Sequence, residues 1–506
     1  MHSDTPHRPY PGTPPRRLPA LVAAAAIAAL LLAGCAVGPD FTPPAAPEAQ
    51  GYTAEPLPQR TVSTPTPGGE EQKIGFTRDI PGEWWELYRS RPLDELIRRA
   101  LQNSPTLAAA QAALRESREY YAAGRGAYFP WVDAGASVLR QKASGAASLQ
   151  PGASTSPFTL YSASVNVTYS LDLFGGMRRE LESLQALVDY QAFQLEGARL
   201  SLASNIVTTA VSEASIRGQI AAIREIVRIQ EEGLAVVERQ FGLGAVSRAD
   251  VLAQRAQLAQ TKAMLPDLEK ALDLTRNRLA VLTGQLPGQA DLPEFTLDAL
   301  ALPDELPVTL PSELVRQRPD IRASEALLHS ASAQVGVATA NLYPDITISG
   351  SIGSQAIRSG DLFGAGSAFW SLGAGLLQPV FRGGQLTALR RAAVAAYDQS
   401  ASLYRETVLR AFEDVSNVLR ALDADARTLK AQAEAQAAAA ESLELARKQF
   451  ALGSASYLTL LNAQRQEQQA RIALVEARAV RYADTAALFQ ALGGGWWNRA
   501  EGRPGE

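Results

Sequence analysis

Histidine and cysteine are nearly missing from this 506-residue chain, which has three His and one Cys. His2 and His7 fall in an N-terminal segment expected to be removed, so the mature chain keeps His329 and Cys35. A Cys/His metal cluster, a disulfide framework and a His-dependent triad each need more such residues than one chain then supplies. There is no G-x-S-x-G elbow and no Walker phosphate loop. Neither an enzyme nor a resident cofactor or metal is expected. A basic excess is lacking as well: 48 Lys and Arg against 52 Asp and Glu give a formal charge of −4, without the field that phosphate backbones require. Nucleic acid is not an expected partner. The apolar run Leu18–Leu32 is about 15 residues, short of the roughly 20 that span a bilayer as a helix.

What is present begins with that run. Arg16 and Arg17 precede it and Leu32-Ala33-Gly34-Cys35 ends it, the layout of an export signal closed by a lipobox-like sequence. Residues 1–34 are therefore expected to be a signal peptide, with Cys35 the lipidation site and a covalent lipid its only prosthetic group. More than one acyl chain makes such anchoring stable, at about 0.8 kcal/mol per buried methylene. Residues 35–90 are rich in Pro, Gly, Thr and Glu up to about Gly82. They read as an extended, lipid-anchored tether with too little apolar area to offset its ordering entropy.

The remainder repeats itself. Ser104-Pro105-Thr106-Leu107 leads to Tyr128-Phe129-Pro130, as Arg318-Pro319-Asp320-Ile321 leads to Leu342-Tyr343-Pro344, 214 residues on. Gln240-Phe241-Gly242-Leu243-Gly244 matches Gln449-Phe450-Ala451-Leu452-Gly453 at 209, and Leu279–Gly284 matches Leu488–Gly493 at the same offset. The repeats span 91–285 and 311–493, with a Pro-rich linker at 286–310 and a C-terminal tail at 494–506.

Within each repeat the apolar period changes. Pro92–Ala127 and Pro311–Asn341 read as helices. Strands follow at about 131–141 and 158–172, then at about 345–357 and 367–380. Tyr161, Ala163, Val165, Val167, Tyr169 and Leu171 alternate with Ser162, Ser164, Asn166, Thr168 and Ser170. A half-buried soluble sheet can show this pattern; the near-ten-residue lengths and terminal aromatics favour transmembrane strands. Proline-free helical stretches then run to Phe241 and Phe450 with apolar residues every seven positions, a coiled-coil seam. About 65 residues at 1.5 Å each make rods of roughly 100 Å. They turn at Gly244 and Gly453 into return helices that start at Ser247 and Ser456. Four strands per chain cannot close a barrel, and open edges are not tolerated in hydrocarbon, so the chain must oligomerise. A trimer with 12 strands is the smallest assembly expected to leave an open lumen.

These residues resemble the outer-membrane efflux proteins of tripartite pumps, the TolC-like outer-membrane factors, in the lipoprotein branch similar to OprM and NodT. The carriers are Cys35 with Gly38-Pro39-Asp40-Phe41, Trp84-Trp85, Leu93 through Asn103, Arg318-Pro319-Asp320-Ile321-Arg322, Leu342-Tyr343-Pro344 and the paired Gln-Phe-x-Leu-Gly turns. The resemblance implies a mixed, mainly α, internally duplicated fold. Its trimer would build a 12-stranded transmembrane β-barrel, four strands per chain, continuous with a long periplasmic α-helical coiled-coil barrel. It also implies a Gram-negative outer-membrane location with lipid contact. The partners implied are a periplasmic adaptor (membrane fusion) protein and an inner-membrane pump of the resistance-nodulation-division type.

The same resemblance points to the hairpin tips. Leu243, Gly244, Ser247, Leu452, Gly453 and Ser456 are adaptor-contact candidates. Asp250, Leu458 and Asn462 are candidates for the periplasmic gate, with Asn462 standing where the family commonly has Asp. Asp250 at a first helical turn also suits the helix dipole, and Leu458 also suits coiled-coil packing. Passive export of small molecules is the expected function. A periplasmic coiled-coil adaptor lipoprotein and an outer-membrane conduit for protein secretion are the alternatives. His329, inside a helical run, is expected to be structural.

Overall fold

Proline sets helix boundaries that apolar periodicity runs across. In the computed structural model, which describes residues 36–49, 51–75, 79–142 and 156–499, the expected helix 92–127 is two: α1 (Arg91–Asn103) and α2 (Pro105–Arg125). Pro311–Asn341 likewise divides into α5 (Pro311–Gln317) and α6 (Pro319–Ala340). Ser104 and Arg318, each preceding a proline, are extended, with ψ of 121° and 124°. The proline ring disfavours the α region for the residue before it, and its own missing N–H is harmless only in a first turn. Cys35 and the expected signal peptide lie outside the described residues, as do 500–506.

The long helices are α3 (Gly176–Gly242) and α7 (Gln385–Ala451), 67 residues each, so each is about 100 Å long. The return helices α4 (Arg248–Leu282) and α8 (Tyr457–Ala491) have 35 residues each. All four end in one device. Gly244, Gly284, Gly453 and Gly493 have φ of 79°, 73°, 75° and 95°, left-handed values that a Cβ disfavours. At Gly244 the glycine N–H reaches Phe241 O at 2.9 Å and the next N–H reaches Gln240 O at 2.9 Å. At Gly453 the pair is Phe450 O at 3.0 Å and Gln449 O at 2.9 Å. This is the Schellman closure, which satisfies carbonyls a helix end leaves open. At the other end of α3, Asp172 carries the cap: its Oδ1 and Oδ2 accept from the N–H groups of Met177 and Arg178 at 3.1 and 3.0 Å.

The chain forms two structural units. Among the described residues, the first comprises 36–41, 120–142, 156–185 and 329–398, the second 42–49, 51–75, 79–119, 186–328 and 399–499. Each takes elements from both repeats. In the first unit a four-stranded antiparallel sheet has the order β2-β3-β5-β6: β2 (Trp131–Gln141), β3 (Phe158–Leu171), β5 (Asp345–Ala356) and β6 (Ala368–Leu377). The strand positions agree with those expected within a few residues.

The second unit corrects the view of residues 35–90 as a loose tether. β1 (Lys73–Gly75) pairs in parallel with β4 (Glu305–Pro307) of the linker. Ile80, Trp84, Trp85 and Tyr88 are buried with Leu93, Leu96, Ile97 and Ala100 of α1; Trp84 stacks on Phe489 with ring centroids 5.1 Å apart. Arg481 of α8, wholly buried, donates to Gly68 O at 2.9 Å, Glu70 O at 2.6 Å, Thr61 Oγ1 at 3.0 Å and Gln72 Oε1 at 3.3 Å. A buried guanidinium is tolerated when its donors are matched. Here polar backbone of the Pro/Gly-rich segment supplies what apolar composition cannot. The linker buries Phe295, Leu297, Leu302, Leu306 and Val308. The described start of the tail is docked too, Trp496 Nε1 donating to Gln317 O at 2.6 Å.

Candidate functional site: strand sheet and hairpin tips

Strand register sorts the sheet into two chemically different faces, because directly opposed residues share a face. Val167 lies opposite Val132 and Gly350; Val165 opposite Ala134 and Ile352; Tyr169 opposite Ile348; Ile352 opposite Trp370; Ile346 opposite Leu376. The other face aligns Asp133, Asn166, Ser351 and Ser371 in one row and Thr168, Ser349 and Gly373 in the next. On it Ser351 Oγ donates to Asn166 Oδ1 at 2.8 Å, and Ser170 Oγ to Asp345 Oδ1 at 2.7 Å. Trp131 falls opposite Thr168 on the polar face. Val132, Val138, Ile352, Trp370, Leu372 and Leu376 of the apolar face are all exposed in the single chain. An apolar surface of this size signals a membrane or a partner. β2 and β6 are the outer strands, each paired on one side only among the described residues.

Residues 36–41 are held in the same unit. The Val37 N–H donates to Phe174 O at 3.0 Å. Arg179 joins Asp40 at 2.6 Å and Glu182 at 2.8 Å. Glu182 meets His329 Nε2 at 2.9 Å, and the His329 ring stacks on Phe41 at 4.3 Å. Gly38, at φ 100°, lies so close to Gly336 that a Cβ would be 2.4 Å from its Cα. His329 therefore takes part in packing the strap that follows Cys35, as a structural residue.

The two tips lie in the second unit. Leu243 and Leu452, beside the turning glycines, are 85% and 84% exposed. Behind them Val237, Val251, Leu443, Tyr457, Leu460 and Leu461 form a buried cluster against which Phe450 packs; the Phe450 and Tyr457 rings are 5.4 Å apart. The Tyr457 hydroxyl donates to Gln254 Oε1. Burial first, and the charge of Asp250 second, push its phenol well above its usual range, so it stays a neutral donor. Gln254 Nε2 in turn reaches Gln230 O at 3.2 Å, and Arg465 Nε reaches Gln257 Oε1 at 2.8 Å. Sequence reasoning did not find this polar seam, because glutamines on a helix look solvent-facing.

Each gate candidate has a definite place. Ser247 caps α4, and Asp250 completes a capping box with it. Ser456 caps α8 by accepting from the Thr459 N–H at 3.2 Å. Thr459, 209 residues after Asp250, has no carboxylate to return the bond. Leu458 and Asn462 are exposed on α8. Neither Thr459 nor Asn462 supplies an acid to the second tip.

Against known proteins, the family model for outer membrane efflux protein matches residues 96–285 and 310–494, close to the two repeats. The chain is 32% identical over 427 residues to the pyoverdine export outer membrane protein OpmQ of Pseudomonas aeruginosa, covering 83% of this chain and 89% of that protein. Among solved structures it resembles the outer-membrane channel OprN, with a TM-score of 0.81 at 28% identity over 91% of this chain and all of that one. It also resembles the open state of the MtrE outer membrane channel of Neisseria gonorrhoeae, with a TM-score of 0.77 at 26% identity over 92% of this chain and all of that one. Duplication, two-faced strands and paired glycine-turned hairpins are thus features of a known kind of channel, and the chain belongs to the outer membrane efflux protein family.

Proposed function

We propose that three copies of this chain form a passive outer-membrane conduit for small molecules, with a 12-stranded barrel and a helical tunnel. The observation that carries this reading is the sheet. It has one face apolar and exposed, one face dominated by Ser, Thr, Asn, Asp and Gly with Trp131, Leu139, Phe369 and Leu377 towards the strand ends, and two outer strands each paired on one side only among the described residues. Lipid satisfies the first face and water the second; only other chains can satisfy the edges. Covalent lipid at Cys35 fits the strap at 36–41, which is bound to the same unit as the sheet.

A periplasmic adaptor and an inner-membrane pump, of the resistance-nodulation-division type, are the partners this reading requires, since the chain carries no energy-coupling motif. The exposed Leu243 and Leu452, with Gly244, Ser247, Gly453 and Ser456, form the adaptor contact. Asp250, Leu458 and Asn462 line the entrance, with Leu458 the apolar closure. The relatives' names support export of small molecules, pyoverdine being one. The test is single-channel recording of the detergent-purified full chain in planar bilayers, alone and with Leu458→Gly. Discrete conductance steps are expected, at least in the variant with the loosened tip. Silence in both contradicts a conduit.

A further inference from the structure

The duplication leaves one set of contacts half made. Within the first unit, repeat one meets repeat two through β3 and β5, and just beyond those strands the Phe174 ring stacks on Tyr343 with centroids 4.7 Å apart. In the first turns of α3, Glu180 Oε2 and Ser183 Oγ accept from Gln334 Nε2 of α6 at 3.1 and 3.0 Å. Every partner has a counterpart in the other repeat. Phe174 corresponds to Phe381, 207 residues on, and Tyr343 to Phe129, 214 residues back. The helices α3 and α7 start and end 209 residues apart, so Glu180 corresponds to Leu389; α2 precedes α6 by 214, so Gln334 corresponds to Tyr120.

These counterparts are bare in the single chain. Phe381 and Phe129 are 88% and 66% exposed, and Leu389 and Tyr120 are 53% and 60% exposed. The first turns of α7 are exposed where those of α3 are mostly buried or half-buried. The counterparts of β3 and β5 are β6 and β2, the two strands paired on one side only among the described residues. The chemistry also changes: the hydrogen-bonded Glu180 and Gln334 are replaced by the apolar Leu389 and Tyr120. A contact inside one chain carries no cost of association, whereas a contact between chains must bury apolar area to offset the freedom lost. Single exposed apolar residues are ordinary; two pairs that map onto contacts already made within the chain point to a second copy.

We propose that Phe381 and Leu389 of one copy dock on Phe129 and Tyr120 of a neighbouring copy, repeating between chains the contact that repeat one makes with repeat two. The seam rests on the shared barrel proposed above. It also fixes a register. Carrying the β3–β5 pairing across sets Leu372 opposite Val138 and Leu376 opposite Ala134 of the neighbouring copy on the apolar face, and Gly373 opposite Ser137 on the polar face. Both faces of the sheet continue unbroken; a slip of one residue would set them against each other.

The test is cross-linking by a short bismaleimide in membranes that hold the full chain, using two double variants: Phe129→Cys with Phe381→Cys, and Tyr120→Cys with Leu389→Cys. Each should give covalent dimers and trimers on denaturing gels. The four single variants, whose other cysteine is Cys35, should stay at monomer mass, as should Phe174→Cys with Tyr343→Cys, linked within one chain. The Tyr120 and Leu389 pair keeps both aromatic rings, so it decides the matter if the ring variant fails to assemble. Native mass spectrometry of the same variants counts protomers independently. Three protomers with no link between copies at either pair would overturn the seam, leave the shared barrel standing and give the exposed rings to lipid. A monomeric wild type would overturn both.

Discussion

Ser247 and Asp250 bond to each other in both directions: the Asp250 N–H donates to Ser247 Oγ at 3.2 Å, and the Ser247 N–H donates to Asp250 Oδ2 at 2.9 Å. The Ser247 hydroxyl also donates to that oxygen, at 2.7 Å. Two open donors at the start of α4 are thereby satisfied, with the negative charge on the favourable end of the helix dipole. Asp250 thus has a local role in each chain whatever three chains do together.

The first prediction separates those roles. Asp250→Asn keeps an acceptor for Ser247 and removes the charge, so stability should fall by well under about 1 kcal/mol. If three Asp250 carboxylates surround the entrance, cation selectivity in bilayer recordings should drop. Selectivity equal to wild type would confine Asp250 to capping and leave Leu458 and Asn462 as gate residues.

The second concerns the sheet faces. Val165→Arg places a charge on the apolar face, at a cost of about 2–4 kcal/mol near the membrane midplane. Its recovery in the membrane fraction should fall sharply. Asn166→Arg, one residue away on the polar face, should insert and reduce cation conductance. Equal insertion of both would contradict a lipid-facing Val165.

Third, Cys35→Ser should remove the acyl mass from the intact protein. A retained lipid would refute anchoring at Cys35.

Fourth, Arg481→Ala leaves Gly68 O, Glu70 O and their neighbours without donors inside the second unit. At about 1–3 kcal/mol for each stranded polar group, the loss should reach several kcal/mol. It should appear as faster proteolysis within 51–75; protection equal to wild type there would contradict the role assigned to the arginine.

The features legible in the sequence are those imposed by a repeating environment. Alternation from Thr159 to Leu171 located β3 because every second residue meets a different medium. The seven-residue line through Leu181, Val188 and Leu195 located α3 because a long seam repeats. Pro105 and Pro319 were visible as landmarks of the duplication, yet periodicity alone carried helices across them. Arg481 and the docking of Thr61–Gln72 were hidden, because a lone arginine on a helix reads as a solvated charge and backbone acceptors leave no mark in composition. At the tips, Ser247 and Ser456 were readable as caps; the bond from Tyr457 to Gln254 was not.

Strands β2 and β6, each paired on one side only among the described residues, close only against other copies. Native mass spectrometry of the full-length mature chain, extracted in detergent, tests it most directly. Three protomers per particle are predicted, and a stable monomer would contradict the shared barrel.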